Sequence, residues 1–211
     1  MAAAAQRLSP VELRVLGCLI EKQRTTPEQY PLTLNSLRLA CNQATNREPV
    51  LQLDESEVRT AAQHLGTKGY VRLATGPGSR TAKYRQLFGE ALDLMPQEVS
   101  LLAVLMLRGP QTVNQLLTRT ERLHRFASAE DVTEWLTRLD GKELVHLLGK
   151  QPGQREERWT HLLAEGPTAA GPVEEPEDMS ATEPTSVERR LARVEERLDE
   201  LERALGSRDL L

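Results

Sequence analysis

Few side chains in this 211-residue chain stand where catalysis would need them. The four histidines, His64, His124, His146 and His161, keep no metal-ligand spacing to one another or to Cys18 and Cys41, and no Cys-x-x-Cys occurs. No nucleophile motif, phosphate-cradling glycine loop or zincin histidine pair is present. Glu156-Glu157 and Glu195-Glu196 are adjacent carboxylates, but runs of charge usually form solvated faces. A binding protein is therefore expected rather than an enzyme, with no metal and no cofactor.

Two sets of side chains suit contacts with phosphate and base edges. The first lies in Asn42 to Pro49, where Asn42, Gln43, Asn46 and Arg47 carry donors and acceptors. The commoner use of such side chains is to hydrogen-bond a long turn and fix the helix that follows. The second set depends on a helix starting at Asp54. With Val58, Ala61, Ala62 and Leu65 inward, Ser56, Arg59, Thr60, Gln63 and Thr67 point out. Arg59 and Gln63 suit base edges, while Arg80, Lys83 and Arg85 on the following hairpin suit phosphate. The candidate DNA-binding residues are thus Arg47, Arg59, Thr60, Gln63, Arg80 and Lys83.

The elements that must position these residues have readable starts and stops. Ser9-Pro10-Val11-Glu12 combines a cap, a first-turn proline and a capping-box glutamate, with Leu8 and Leu13 at staple positions. A second helix begins near Thr33, with Leu34 and Leu37 inward. A third begins at Asp54, with Glu57 completing a box and Leu53 and Val58 as a second staple, and Gly69 stops it. Tyr70 to Leu73, the turn cluster Gly76-Pro77-Gly78-Ser79, and Ala82 to Arg85 then read as a hairpin. Three helices followed by a hairpin is the order of a winged helix, a relative of the helix-turn-helix in which the third helix reads the groove.

The pattern occurs twice. Pro31 to Leu37 matches Pro110 to Leu116 at an offset of 79, and Val58, Leu65, Val71 and Leu73 match Val132, Leu139, Val145 and Leu147 at 74. Tyr84 matches Trp159 at 75, and Glu12-Leu13 aligns with Glu98-Val99. The second copy has its own cap at Ser128, with Asp131 three residues on, a stop at Gly141 and a hairpin tip at Gly149 to Gly153. The expected architecture is mainly α with small β-hairpins (α+β). It comprises a winged-helix domain over 1–94, a second over 95–165, an acidic linker over 166–185 and a coiled-coil helix over 186–206. In that last helix Val187, Leu191, Val194, Leu198, Leu201 and Leu205 repeat at heptad spacing. Arg190 and Arg197 fall where a parallel partner would offer Glu195 and Glu202, so a homo-oligomer is expected, while leucine at a with valine at d leans beyond a dimer.

Tyr30 to Leu37, followed by Ala40 to Val50 (ACNQATNREPV), resembles the signature of the YceH family of bacterial proteins, as do Leu8 to Gln23 and Tyr84 to Phe88. The resemblance covers about residues 8–165. It implies tandem winged helices and brings no catalytic residues and no assigned function.

Charge separates the halves. Residues 1–94 carry a net +3, residues 95–166 a net −1 and residues 167–211 a net −6, within a whole-chain charge of −4. Aromatic residues are 3%, too few for a platform that stacks unpaired bases. One expectation is therefore a duplex-DNA-binding, regulator-like protein reading through the first domain. The other is a protein-interaction module. On the second domain the equivalent face presents Glu130, Thr133, Glu134 and Thr137, which phosphate would repel and a protein partner would suit. The longest apolar run, Leu101 to Leu107, is far short of a membrane span, and Met1 to Leu8 lacks the form of a secretory leader, so a cytoplasmic location without a membrane partner is expected.

Overall fold

Ser9 and Glu12 start the first helix as their spacing requires. In a computed structural model describing residues 5–74, 82–150 and 156–165, the Glu12 N–H donates to Ser9 Oγ at 3.3 Å and the Ser9 N–H to Glu12 Oε2 at 2.8 Å. Helix α1 (Pro10–Thr25) follows, then strand β1 (Leu32–Thr33) and helix α2 (Leu34–Cys41), capped by the Thr33 hydroxyl. Helix α3 (Glu55–Thr67) opens on a reciprocal Asp54–Glu57 box. Such caps satisfy orphan N–H groups at about 1 kcal/mol each. Strands β2 (Val71–Ala74) and β3 (Lys83–Gln86) form the hairpin, and β1 pairs with the far side of β3, giving the order β1-β3-β2.

A short helix α4 (Phe88–Ala91) leads to α5 (Pro96–Arg108), α6 (Val113–Arg119), α7 (Ala129–Gly141) and the antiparallel pair β4 (Val145–Leu148) and β5 (Arg158–His161). The chain is mixed, with seven α-helices and two small antiparallel sheets among the described residues.

The offsets read from the sequence recur in the backbone pairing. Leu32 lies opposite Tyr84 as Gln111 lies opposite Trp159, and Val71 opposite Gln86 as Val145 lies opposite His161. An ion pair to a buried glutamate recurs too. Lys68 Nζ sits 2.8 Å from Glu12 Oε2, and Lys142 Nζ 2.7 Å from Glu98 Oε1. Each ties the end of a third helix to the start of a first.

One stop differs from the sequence reading. Gly141 is the last residue of α7, not the residue that turns the chain. The left-handed residue is Glu143 (φ 57°), which stands where Gly69 (φ 78°) stands in the first half. Equivalent bonds follow, from Tyr70 N–H to Leu65 O and from Leu144 N–H to Leu139 O. The backbone turn is thus kept although the glycine is not.

Residues 5–165 belong to one compact unit, and the apolar core runs unbroken through both halves. Helices α1 and α5 lie side by side, and at Gly17 a Cβ would come within 2.9 Å of the Leu107 side chain. The N-terminal segment adds a second tie. The Leu8 N–H donates to Leu163 O at 2.7 Å, and the Glu165 N–H to Leu8 O at 2.9 Å. The linker at 166–185 and the heptad residues Val187, Leu191, Val194, Leu198, Leu201 and Leu205 lie outside the described residues. No described helix is long and apolar enough to cross a membrane.

Candidate nucleic-acid interface

The outward face of α3 is set by its buried one. Val58, Ala61, Ala62 and Leu65 are buried, so the helical period leaves Ser56, Arg59, Thr60, Gln63 and Thr67 exposed. Arg59, Thr60 and Gln63 therefore stand together on solvent, as expected. Arg59 Nη2 lies 2.5 Å from Glu55 Oε1 with both side chains about half exposed, a pairing of only ~0.3–0.5 kcal/mol that a phosphate would readily replace. The first turn of α3 is acidic, with Asp54, Glu55 and Glu57 all exposed. Contact with an anion is thereby confined to the middle and C-terminal half of the helix.

The hairpin supplies the cations. Arg72 lies opposite Arg85, and Ala74 opposite Lys83, so side-chain alternation puts Arg72, Lys83 and Arg85 on one face. Arg85 is held by Glu90 at 2.8 Å, whereas Arg72 is exposed and lines a groove with Gln63. Arg72 was absent from the sequence-based set, although its place in an alternating strand marked it as outward. The opposite face of the hairpin carries Val71 and Tyr84, both buried, and Leu73, which is 55% exposed. Arg80 lies outside the described residues.

Arg47 is a correction. Its side chain is 0% exposed, so it cannot reach a phosphate. Nη2 lies 2.6 Å from Glu21 Oε2 and donates to Gln43 Oε1 at 3.0 Å, Nη1 donates to Glu21 Oε1 at 3.1 Å and to Asn46 O at 2.8 Å, and Nε donates to Ala40 O. Burial pushes the Glu21 carboxyl up, but the Arg47 hydrogen bonds and charge, with Lys22 beside it, outweigh this and hold it below its ordinary value. The loop's amide side chains Asn42, Gln43 and Asn46 are also engaged. Asn42 clamps Leu53 through both backbone groups, at 2.8 and 2.9 Å, Gln43 also accepts from Lys22, and Asn46 accepts from Arg108. The loop from Asn42 to Pro49 is a brace between α1 and α3, further pinned by Arg14 Nη1 on Cys41 O at 3.0 Å.

Among the described residues the second half presents no equivalent face. On α7, Glu130, Thr133, Glu134 and Thr137 are exposed, and Glu134 is paired with Arg138. The buried thiols Cys18 and Cys41 are free, and no group of three or more ligating side chains that could hold a metal occurs among the described residues.

Comparison with known proteins gives a family without an assigned activity. Residues 8–154 match the family described as "Protein of unknown function, DUF480". The chain is 45% identical over 205 residues to a UPF0502 protein of Pseudomonas fluorescens strain Pf0-1, covering 93% of this chain and 94% of the relative. It is 42% identical over 210 residues to a UPF0502 protein of Pseudomonas syringae pv. tomato, covering 95% and 94%. A UPF0502 protein of Azotobacter vinelandii is 52% identical over 153 residues, covering 72% of this chain and 68% of the relative.

Proposed function

The chain belongs to the DUF480 (UPF0502) family, and we propose that it is a non-enzymatic, regulator-like protein. In this reading two tandem winged helices form its body, and the first grips duplex DNA. The tandem winged-helix reading is supported by the repeated helix-helix-helix-hairpin order and by strand pairings that recur at the same offsets.

The observation that carries the DNA reading is a combination found, among the described residues, on the first half. Arg59, Thr60 and Gln63 form an exposed polar helix face that meets the hairpin where Gln63 and Arg72 line one groove, and Arg72 shares its hairpin face with Lys83 and Arg85. Gln63 and Arg59 would meet base edges, while Arg72, Lys83 and Arg80 would meet phosphate. The heptad helix beyond the linker would pair two such readers on a two-fold site. Retention of sheared genomic DNA by the full-length protein tests this. Enrichment of particular fragments that disappears in Arg59→Ala/Gln63→Ala supports it. No retention at low ionic strength rejects it.

A second reading, a protein-interaction module, is favoured by Leu73. This exposed leucine borders the groove between α3 and the hairpin, and the acidic first turn of α3 and the acidic face of α7 would welcome a basic partner. Loss of a pulled-down partner on Leu73→Asp, with DNA retention unchanged, would separate the two.

A further inference from the structure

A cleft of 460 Å³ opens on the side of the molecule formed by the C-terminal ends of α1, α5 and α6 and the loop after α2. Its volume is in the range of small-molecule sites. Its floor is apolar, made of Val104, Leu107 and Leu123, and its walls carry Lys22, Arg108, Arg119 and Arg122. Of its two lining carboxylates, Glu21 is engaged by Arg47 and Lys22 and Glu121 faces the remaining cations, with the charge of Glu48 felt by Arg108 and Arg119 from outside the lining.

None of Arg108, Arg119 and Arg122 has a carboxylate within ion-pair distance among the described residues. Arg108 gives one hydrogen bond to Asn46, Arg119 one to Gln111, and each guanidinium has further donors to offer. Burial draws both arginines below their ordinary pKa; the charge of Arg119 adds to this for Arg108 and that of Arg158 for Arg119, while the carboxylate of Glu48 opposes it for both without coming within ion-pair distance. Half-buried like charges in a cleft are unfavourable unless an anion joins them.

We infer that this cleft binds a small phosphate-bearing ligand, its phosphate bridged by Arg108 and Arg119 and its apolar part resting on Val104, Leu107 and Leu123. Planar guanidinium forks suit bidentate contact with phosphate oxygens. The site shares no residue with Arg59, Gln63, Arg72 or Lys83, so it stands apart from the DNA reading.

Calorimetric titration of the full-length protein with inorganic pyrophosphate, with ADP and with a short DNA duplex tests the inference. Saturable one-site binding of pyrophosphate, tighter for ADP, is expected. Arg108→Gln/Arg119→Gln should weaken both by at least about tenfold, as loss of charge-assisted bonds implies. Arg59→Ala/Lys83→Ala should leave both unchanged. Arg122 is exposed and makes no internal bond among the described residues, so Arg122→Gln gives a readout without risk to folding and should weaken binding severalfold. No saturation by about 10 mM pyrophosphate, weaker than any useful affinity, or equal affinity in the arginine variants would overturn the site. Competition by the duplex, abolished in the same variants, would assign the cleft to backbone phosphate and overturn the small-ligand claim.

Discussion

Replacing Arg47 with methionine should destabilise the protein by about 3–5 kcal/mol, the usual result of removing one partner from a buried ion pair. The guanidinium is wholly buried and makes five hydrogen bonds, two of them to a Glu21 side chain that is itself 12% exposed. Without Arg47 that carboxylate keeps, among the described residues, the single cation Lys22 at 3.4 Å. Replacing both residues, as Arg47→Met/Glu21→Met, removes the stranded charge and should restore about 2 kcal/mol. It cannot restore all, because Ala40 O and Asn46 O lose a donor at roughly 1 kcal/mol each. Acidity gives an independent check. Glu21 is held below 4.5 in the folded protein, so its contribution is present above 4.5 and lost as pH falls through the folded value. Urea denaturation followed by circular dichroism should therefore show the largest gap between wild type and Arg47→Met near neutrality, narrowing in acid. An Arg47→Met protein as stable as wild type, but weaker on DNA, would refute the reasoning and return Arg47 to the interface.

Other perturbations follow from single features. Gly69→Ala should destabilise and Glu143→Gly should stabilise, each by about 1 kcal/mol, because both positions are left-handed and only one carries glycine; changes of like sign in urea melts would contradict this. Gly17→Leu should lower stability by at least about 1 kcal/mol by overfilling the α1–α5 packing at Leu107, with Gly17→Ala milder; an unchanged melt would show that the packing yields. Burial lowers His161 from 6.5 to about 4, so neutral His161 is favoured in the fold and stability falls between pH 6.5 and 4, by roughly 3 kcal/mol at the lower end. His161→Phe should flatten that acid limb, and an identical limb in the variant would remove His161 as its cause.

Local signals were the most legible part of the sequence. Ser9–Glu12 and Asp54–Glu57 form their boxes, Val58, Ala61, Ala62 and Leu65 are buried, and Gly69 turns left-handed, because each depends on residues within four positions. The pairing of Leu32 with Tyr84 and of Gln111 with Trp159 was not legible: the duplication aligned Tyr84 with Trp159 and Leu32 with Gln111, but an alignment of two copies does not say which strands lie side by side. The bracing role of the Asn42 to Pro49 loop was the commoner of its two readings, but the burial of Arg47 and its partner were not legible. A charged residue in an Asn-rich loop reads as solvent-facing, and its partner Glu21 is 26 residues away on another helix. The ties of Lys68 to Glu12 and of Lys142 to Glu98 have the same non-local character. The continuous core through Gly17 and Leu107 also escaped a reading that placed a boundary after residue 94, because apolar periodicity shows which face is buried but not what covers it. In the candidate interface, Arg59, Thr60 and Gln63 were found by helical period. Arg72 was missed although strand period offered the same signal.

The most direct test of the account is the salt dependence of duplex DNA binding by the full-length protein beside Arg59→Ala/Lys83→Ala. Log affinity is expected to fall linearly with log salt, and the variant to bind more weakly, with a slope shallower by about 1 for each phosphate it no longer neutralises. Absence of binding at low salt, or an affinity and slope that the variant leaves unchanged, would contradict it and leave the exposed Leu73 groove as the surface to pursue.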